Sequence, residues 1–109
     1  MRVSFSGKAL LLLLTLAFTP LVAQAEPVWI DVRTQAEYQQ DHIDGDPLIP
    51  HQKILAKVSE RFPDKDTEIR LYCRSGNRAG QAKSVLEDAG YTHVTNAGGI
   101  DDVRETRDL

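Results

Sequence analysis

Short apolar runs alternate with stretches of helical spacing from residue 28 onward. Residues 28–32 form an apolar run with Asp31 near its end and predict a first strand. Thr34-Gln35-Ala36-Glu37 matches a capping box, in which a hydroxyl and a carboxylate satisfy the free N–H groups at a helix start, and the helix it opens carries Tyr38. Leu48-Ile49 predicts a second short strand, closed by Pro50. Ile54, Leu55, Val58 and Phe62 fall at i, i+1, i+4 and i+8, the stripe of an amphipathic helix that Pro63 stops. Residues 67–72, with Ile69, Leu71 and Tyr72, predict a third strand, and residues 79–89 a helix with Gly90 as its C-cap. Residues 91–95 predict a fourth strand, Asn96-Ala97-Gly98-Gly99 a turn, and residues 100–106 a last helical turn or two. Strand–helix alternation at this spacing implies an α/β fold: βαβ units around a parallel sheet with helices on both faces. Ligands of such sheets bind beyond the carboxyl ends of the strands, and Cys73 falls at one of them.

The first 25 residues follow a different pattern. A basic start (Arg2, Lys8), an apolar run over residues 9–18, Pro20, and Ala23-Gln24-Ala25 before Glu26 predict a secretory signal peptide, removed after Ala25. The run is too short for a membrane span, which needs about 20 apolar residues. Its style points to bacterial export and the periplasm. The remaining 84 of 109 residues, 26–109, make one small domain, without repeat, linker or low-complexity run. Arg2 and Lys8 are the leader's share of the 13 basic residues and it holds none of the 16 acidic ones, which leaves 11 against 16, a formal charge of −5. That argues against nucleic acid or an anionic membrane surface as partner. One cysteine cannot form an internal disulfide, and a lone thiol is a liability in an oxidising compartment. Its presence there favours chemistry.

The plain alternative for a lone cysteine is a small buried hydrophobe. Cys73, however, ends a strand, is followed by the polar, cationic Arg74-Ser75-Gly76-Asn77-Arg78, and stands before the helix that opens near Ala79. Strand, tight loop and helix N-terminus is the geometry in which backbone N–H groups converge on an anion. The same dipoles, with Arg74 and Arg78, push the thiol towards thiolate; an ordinary thiol with a pKa of about 8.5 is only a few per cent ionised at pH 7. The loop thus describes an activated nucleophile facing an anionic substrate. No cluster has metal-ligand spacing and no glycine-rich loop fits a nucleotide, so no metal or other cofactor is expected.

The ordered motifs resemble those of the single-domain rhodaneses, and most closely the small periplasmic thiosulfate sulfurtransferases among them. Trp29-Ile30-Asp31-Val32-Arg33 is similar to the family's opening "(I/L)DVR" motif, and Glu37-Tyr38 to its following helix. His42-Ile43-Asp44-Gly45 to Ile49-Pro50 resembles "HIxGAxNIP", residues 73–78 the active loop, and Asn96-Ala97-Gly98-Gly99 the closing glycine motif. Together they span residues 28–100. The resemblance implies a three-layer α/β/α rhodanese-like fold with a parallel sheet of four to five strands. It also implies sulfur transfer from thiosulfate through a Cys73 persulfide to cyanide or another small nucleophile or thiol. Arg74, Ser75, Gly76, Asn77, Arg78 and Ala79 would bind substrate, with Arg78 and Arg74 attracting the dianion. His42, His51 and His93 need no catalytic role, and Asp31 and Arg33 are expected to form an internal polar pair. Nothing in the sequence fixes the oligomeric state.

Two other readings stay open. Dual-specificity phosphatases of the cell-cycle type share the fold, which admits a phosphatase or arsenate reductase; their loop, however, places five residues between Cys and Arg, and here Arg78 follows Cys73 after four. A non-catalytic or carrier domain would use the same persulfide. One departure from the family is sharp: Asp46-Pro47-Leu48 stands where Ala-x-Asn is usual. A carboxylate buried there without a partner is costly, so Asp46→Ala is expected to stabilise the domain by roughly 1–2 kcal/mol. The opposing expectation is that Pro47 turns Asp46 to water or to a backbone N–H.

Overall fold

The computed structural model describes residues 25–109, so all of the leader but Ala25 lies outside the described residues. Strand β1 (Val28–Asp31) leads to helix α1 (Gln35–Gln40), and a 3-10 turn (His51–Lys53) runs into α2 (Ile54–Arg61). Then come β2 (Ile69–Cys73), α3 (Asn77–Asp88), β3 (Val94–Gly99) and α4 (Ile100–Arg107). The strands are parallel, in the order β1-β2-β3. Among the described residues no helix is long and apolar enough to cross a membrane.

Local chemistry explains the departures from the expected elements. The strand expected at Leu48-Ile49 is reduced to a single bridge from Leu48 to Asp31, so the sheet has three strands among the described residues, not four to five. The Asp31 N–H donates to the Pro47 carbonyl (3.0 Å) and the Ile49 N–H to the Asp31 carbonyl (2.9 Å), but Pro47 and Pro50 have no N–H with which to lengthen the ladder. The last strand begins at Val94, because Tyr91 is buried with its hydroxyl on the Phe62 carbonyl (2.8 Å) and residues 91–93 bring the chain back from α3. It continues through the expected turn, since Asn96 pairs with Leu71 and Gly99 with Cys73. The sheet is irregular between Leu71 and Cys73, where a bulge re-aims the strand end.

Alternation along β2 divides the interior in two. Ile69, Leu71 and Cys73 face one side, packed with Ile30 and Val32, with Ile54 and Val58 of α2, and with Ala79, Ala82 and Leu86 of α3. Tyr72 faces the other, against Ile43 and against Ile100 and Val103 of α4, with Trp29 alongside. Each fully buried Ile or Leu contributes about 1.5–3 kcal/mol relative to exposure. Chain order puts Leu48 on one edge of β1 and β2 on the other. The path therefore reverses direction at the carboxyl end of β1, beside Cys73, which is where a sheet of this kind opens a crevice.

Asp46 overturns the expectation of a buried, unsatisfied carboxylate. It is 6% exposed, but its Oδ2 accepts from the Tyr72 hydroxyl (2.7 Å) and from Arg107 Nη1 (2.7 Å). The Arg107 guanidinium also lies over the Trp29 ring, 4.5 Å from its centroid. Burial first, and then the bond to Asp46, push the Tyr72 phenol well above its ordinary pKa, so it remains a donor. The departure at 46 is thus matched by a cation from α4 and a hydroxyl from β2. Replacing it removes a partner.

Candidate active site

Cys73 closes β2 and is 1% exposed. Helix α3 starts only four residues later, and the turn between them is possible because Gly76, at its N-cap, has φ of +101°. A side chain there would be strained, whereas glycine adopts this left-handed backbone freely. The Gly76 N–H donates to Cys73 Sγ at 3.0 Å. Burial alone would raise the thiol pKa. The backbone N–H groups of Ala79, Ser75, Gly76 and Arg78 together outweigh it, and the thiol sits below its ordinary value. Strand end, glycine turn and helix start thereby produce a nucleophile from one local sequence.

Other segments hold the loop in this shape. Asn96 Nδ2 donates to the Gly76 carbonyl (2.9 Å), while its Oδ1 accepts from the Gly98 N–H (2.9 Å). At Gly99 the backbone approaches so closely that an added Cβ would overlap the Arg74 carbonyl. Gly99→Ala is therefore expected to push Arg74 away and spread the N–H cradle. Overpacking of this kind costs roughly 1–3 kcal/mol. Turnover should fall by about tenfold or more, since displaced donors act on the reacting centre. Parallel melting curves and initial rates check it; a variant with wild-type rates would mean that the loop tolerates the shift.

The residues singled out from the sequence do not all come to the same place. Arg74, Ser75 and Asn77 are exposed, Gly76 is partly covered, and Ala79 is buried beneath the loop. Arg78 is not open to solvent as a lone cation: its Nη1 and Nη2 bind Glu37 Oε1 (2.7 Å) and Oε2 (3.0 Å). Arg74 makes no ion pair among the described residues and borders a cavity of about 170 Å³ with Arg33, Glu37, Gln40, Asp41, Ile100 and Asp101. Arg33 is committed to Asp31 (2.8–3.1 Å) and to the Asp41 carbonyl (2.6 Å), which is the expected internal pair. His42 stacks on Tyr38 and its Nε2 lies 3.1 Å from Asp44, away from the loop's own contacts. A larger cleft of about 1010 Å³, lined by Val28, Trp29, Asp46 and Arg107 among others, includes none of residues 73–79. Its size does not bring it to the chemistry.

Glu37 and Asn96 are site-shaping residues that the sequence reading used for other purposes. The capping box forms as expected, with the Thr34 N–H (3.0 Å) and hydroxyl (3.1 Å) donating to Glu37 Oε1. The same carboxylate reaches Arg78 across 41 residues, a contact no local spacing announces. Those bonds, Arg78 first, hold its pKa down to about 2, so it is ionised throughout the neutral range.

The sequence and the fold have counterparts among known proteins. The profile of the Rhodanese-like domain matches residues 18–106. The thiosulfate sulfurtransferase PspE of Escherichia coli is 44% identical over 93 residues, covering 85% of this chain and 88% of its own. A sulfurtransferase of Allochromatium vinosum is 42% identical over 72 residues, 65% of each chain. Among solved structures, a "rhodanese with anions from E. coli" superposes with a TM-score of 0.67 at 43% identity, covering 71% of this chain and 91% of that one. With the matched profile spanning most of its length and a loop built to ionise a thiol at the end of a parallel strand, this chain belongs to the family of rhodanese-like domains.

Proposed function

We propose that the protein is a thiosulfate sulfurtransferase working through a Cys73 persulfide, and the observation that carries this reading is the Gly76 N–H on Cys73 Sγ at 3.0 Å within a ring of converging donors. The Cys73 thiolate attacks the outer, sulfane sulfur of thiosulfate. The new S–S bond forms as the old one breaks, and its electron pair leaves with sulfite. A second nucleophile, cyanide or a thiolate, then attacks the outer sulfur of the persulfide and takes it, and the electron pair of that bond returns to Cys73. The N–H groups of residues 74–79, with the α3 dipole behind them, stabilise the anion at every stage. The donors that lower the thiol's pKa favour the thiolate, which attacks without a general base. Among the described residues beside the loop, Arg74 is the arginine without an ion pair, and it draws the dianion in. The name of the similar thiosulfate sulfurtransferase PspE supports the same donor, and that of the Allochromatium vinosum sulfurtransferase supports sulfur transfer.

Two further parts of the reading concern where this happens. Residues 1–25 are a leader removed on export, and residues 26–109 act as one domain in the periplasm. The basic start, short apolar run and Ala-x-Ala ending support it. The N-terminal sequence of the protein recovered from periplasmic extract should begin at Glu26.

Ping-pong kinetics test the chemistry. Initial-rate plots against thiosulfate at several cyanide concentrations should be parallel, and thiosulfate alone should add one sulfur atom to the intact mass, removed again by cyanide. Intersecting lines with an unchanged mass would discard the persulfide route. A persulfide without turnover would instead favour the carrier reading, and release of phosphate from an aryl phosphate the phosphatase one.

A further inference from the structure

The Arg78 guanidinium is bound at both terminal nitrogens by Glu37, and that carboxylate is anchored in turn by the Thr34 N–H and hydroxyl. One carboxylate therefore joins the start of α1 to the first turn of α3, whose backbone N–H groups face Cys73. Side-chain exposures of 24% for Arg78 and 21% for Glu37 leave the pair only partly screened by water. The remaining charges beside the loop are mostly matched as well: Arg33 by Asp31, and Asp41 by Arg104 at 2.8 Å. Asp101 is 3.8 Å from Arg104 and almost fully exposed. Among the described residues beside the loop, Arg74 is the arginine whose charge no carboxylate matches.

We propose that Glu37 is a specificity-determining residue of the sulfur-transfer site: by cancelling the charge of Arg78 it fixes the net charge that an anionic sulfur donor meets at the loop. The idea deepens the sulfurtransferase reading and rests on it. A site with two uncompensated arginines would hold thiosulfate firmly, but would also hold the departing sulfite and over-stabilise the thiolate. Lowering a thiol's pKa also lowers its nucleophilicity, so a deeper well is not a faster enzyme. Cancelling one charge leaves attraction enough for entry without a trap for the product. Arg78 also responds to the charge on Cys73, so the pair and the nucleophile share a field.

Four proteins form a charge ladder that tests this. Glu37→Gln removes the negative charge but keeps an acceptor for Thr34 and Arg78, since Gln serves in a capping box as Glu does. Arg78→Met removes the positive charge and leaves Glu37 uncompensated. The double variant E37Q/R78M restores neutrality. The first measurement is the pH dependence of Cys73 alkylation by iodoacetamide, a neutral reagent that needs no sulfur donor. A unit charge several ångströms away in a largely aqueous surrounding moves such a midpoint by about half a pH unit. Midpoints should rise in the order E37Q, wild type, R78M, with the double variant back at wild type. The second is kcat/KM for thiosulfate at low ionic strength, which should be highest for E37Q and lowest for R78M. Each step should be about two- to fivefold, because the donor is a dianion, and should shrink as salt is added. Coincident alkylation midpoints, or a double variant that fails to return, would overturn the charge role and reduce Glu37 to a structural brace. Absence of thiosulfate turnover in the wild type would sink the sulfurtransferase reading instead, while the alkylation series would still judge Glu37.

Discussion

Cys73→Ser is expected to cut thiosulfate–cyanide turnover by on the order of a thousandfold or more, the scale seen when an enzyme loses its nucleophile, with the melting transition left near that of the wild type. The loop offers donors to whatever sits at the end of β2, and the Gly76 N–H can donate to a hydroxyl as it does to the thiol at 3.0 Å. What it cannot do is ionise an alcohol near neutral pH. The donors that bring the Cys73 thiol below its ordinary pKa start from a group already within reach of ionisation. A serine in the same cradle stays neutral, and a neutral hydroxyl does not displace sulfite. Initial rates and a thermal melt on the same preparation decide the matter. Substantial activity in a folded serine variant would remove Cys73 from the mechanism.

Asp46→Ala carries the second large effect, and it falls on stability. The substitution leaves the Tyr72 hydroxyl, buried in the second face of the sheet, without an acceptor, and leaves Arg107 without its carboxylate. Losing one partner of a buried pair costs roughly 3–5 kcal/mol. Arg107 is about a quarter exposed and can recover some hydration, which brings the expected loss to about 2–3 kcal/mol. At roughly 4–8 °C per kcal/mol for a domain of this size, the melting midpoint should fall by about 8–24 °C. Asp46→Asn, which keeps an acceptor for Tyr72 but not the charge, should fall by less. Thermal melts of the three proteins check both figures, and a midpoint that rises in Asp46→Ala would restore the expectation drawn from sequence alone.

These two positions mark how far the chain could be read without coordinates. The Cys73 loop is legible because everything that makes it reactive is contiguous: a β-rich run, a glycine where the turn needs one, then helix-forming residues. The capping box at Thr34 is legible for the same reason. The satisfaction of Asp46 is not legible in sequence because its partners lie 26 and 61 residues away, and no spacing rule reports a contact made through the sheet. Arg78 looked like a free cation because Glu37 already had a local task and its second one is 41 residues distant. Asn96-Ala97-Gly98-Gly99 reads as a turn on composition, yet it pairs with β2. Gly99 serves close approach to the Arg74 backbone, a demand set by the neighbouring segment and not by its own sequence.

The loop is held by Glu37 from one side, by Asn96 from another and by the close pass of Gly99 beneath Arg74. Each of these braces stands twenty or more residues in sequence from what it holds, so each depends on the chain closing on itself. The donors over Cys73 come from its own neighbours in sequence, but their placement depends on contacts made across the fold. A change far from Cys73 that loosens one of these braces should therefore lower the reactivity of a thiol whose own neighbours in sequence are untouched.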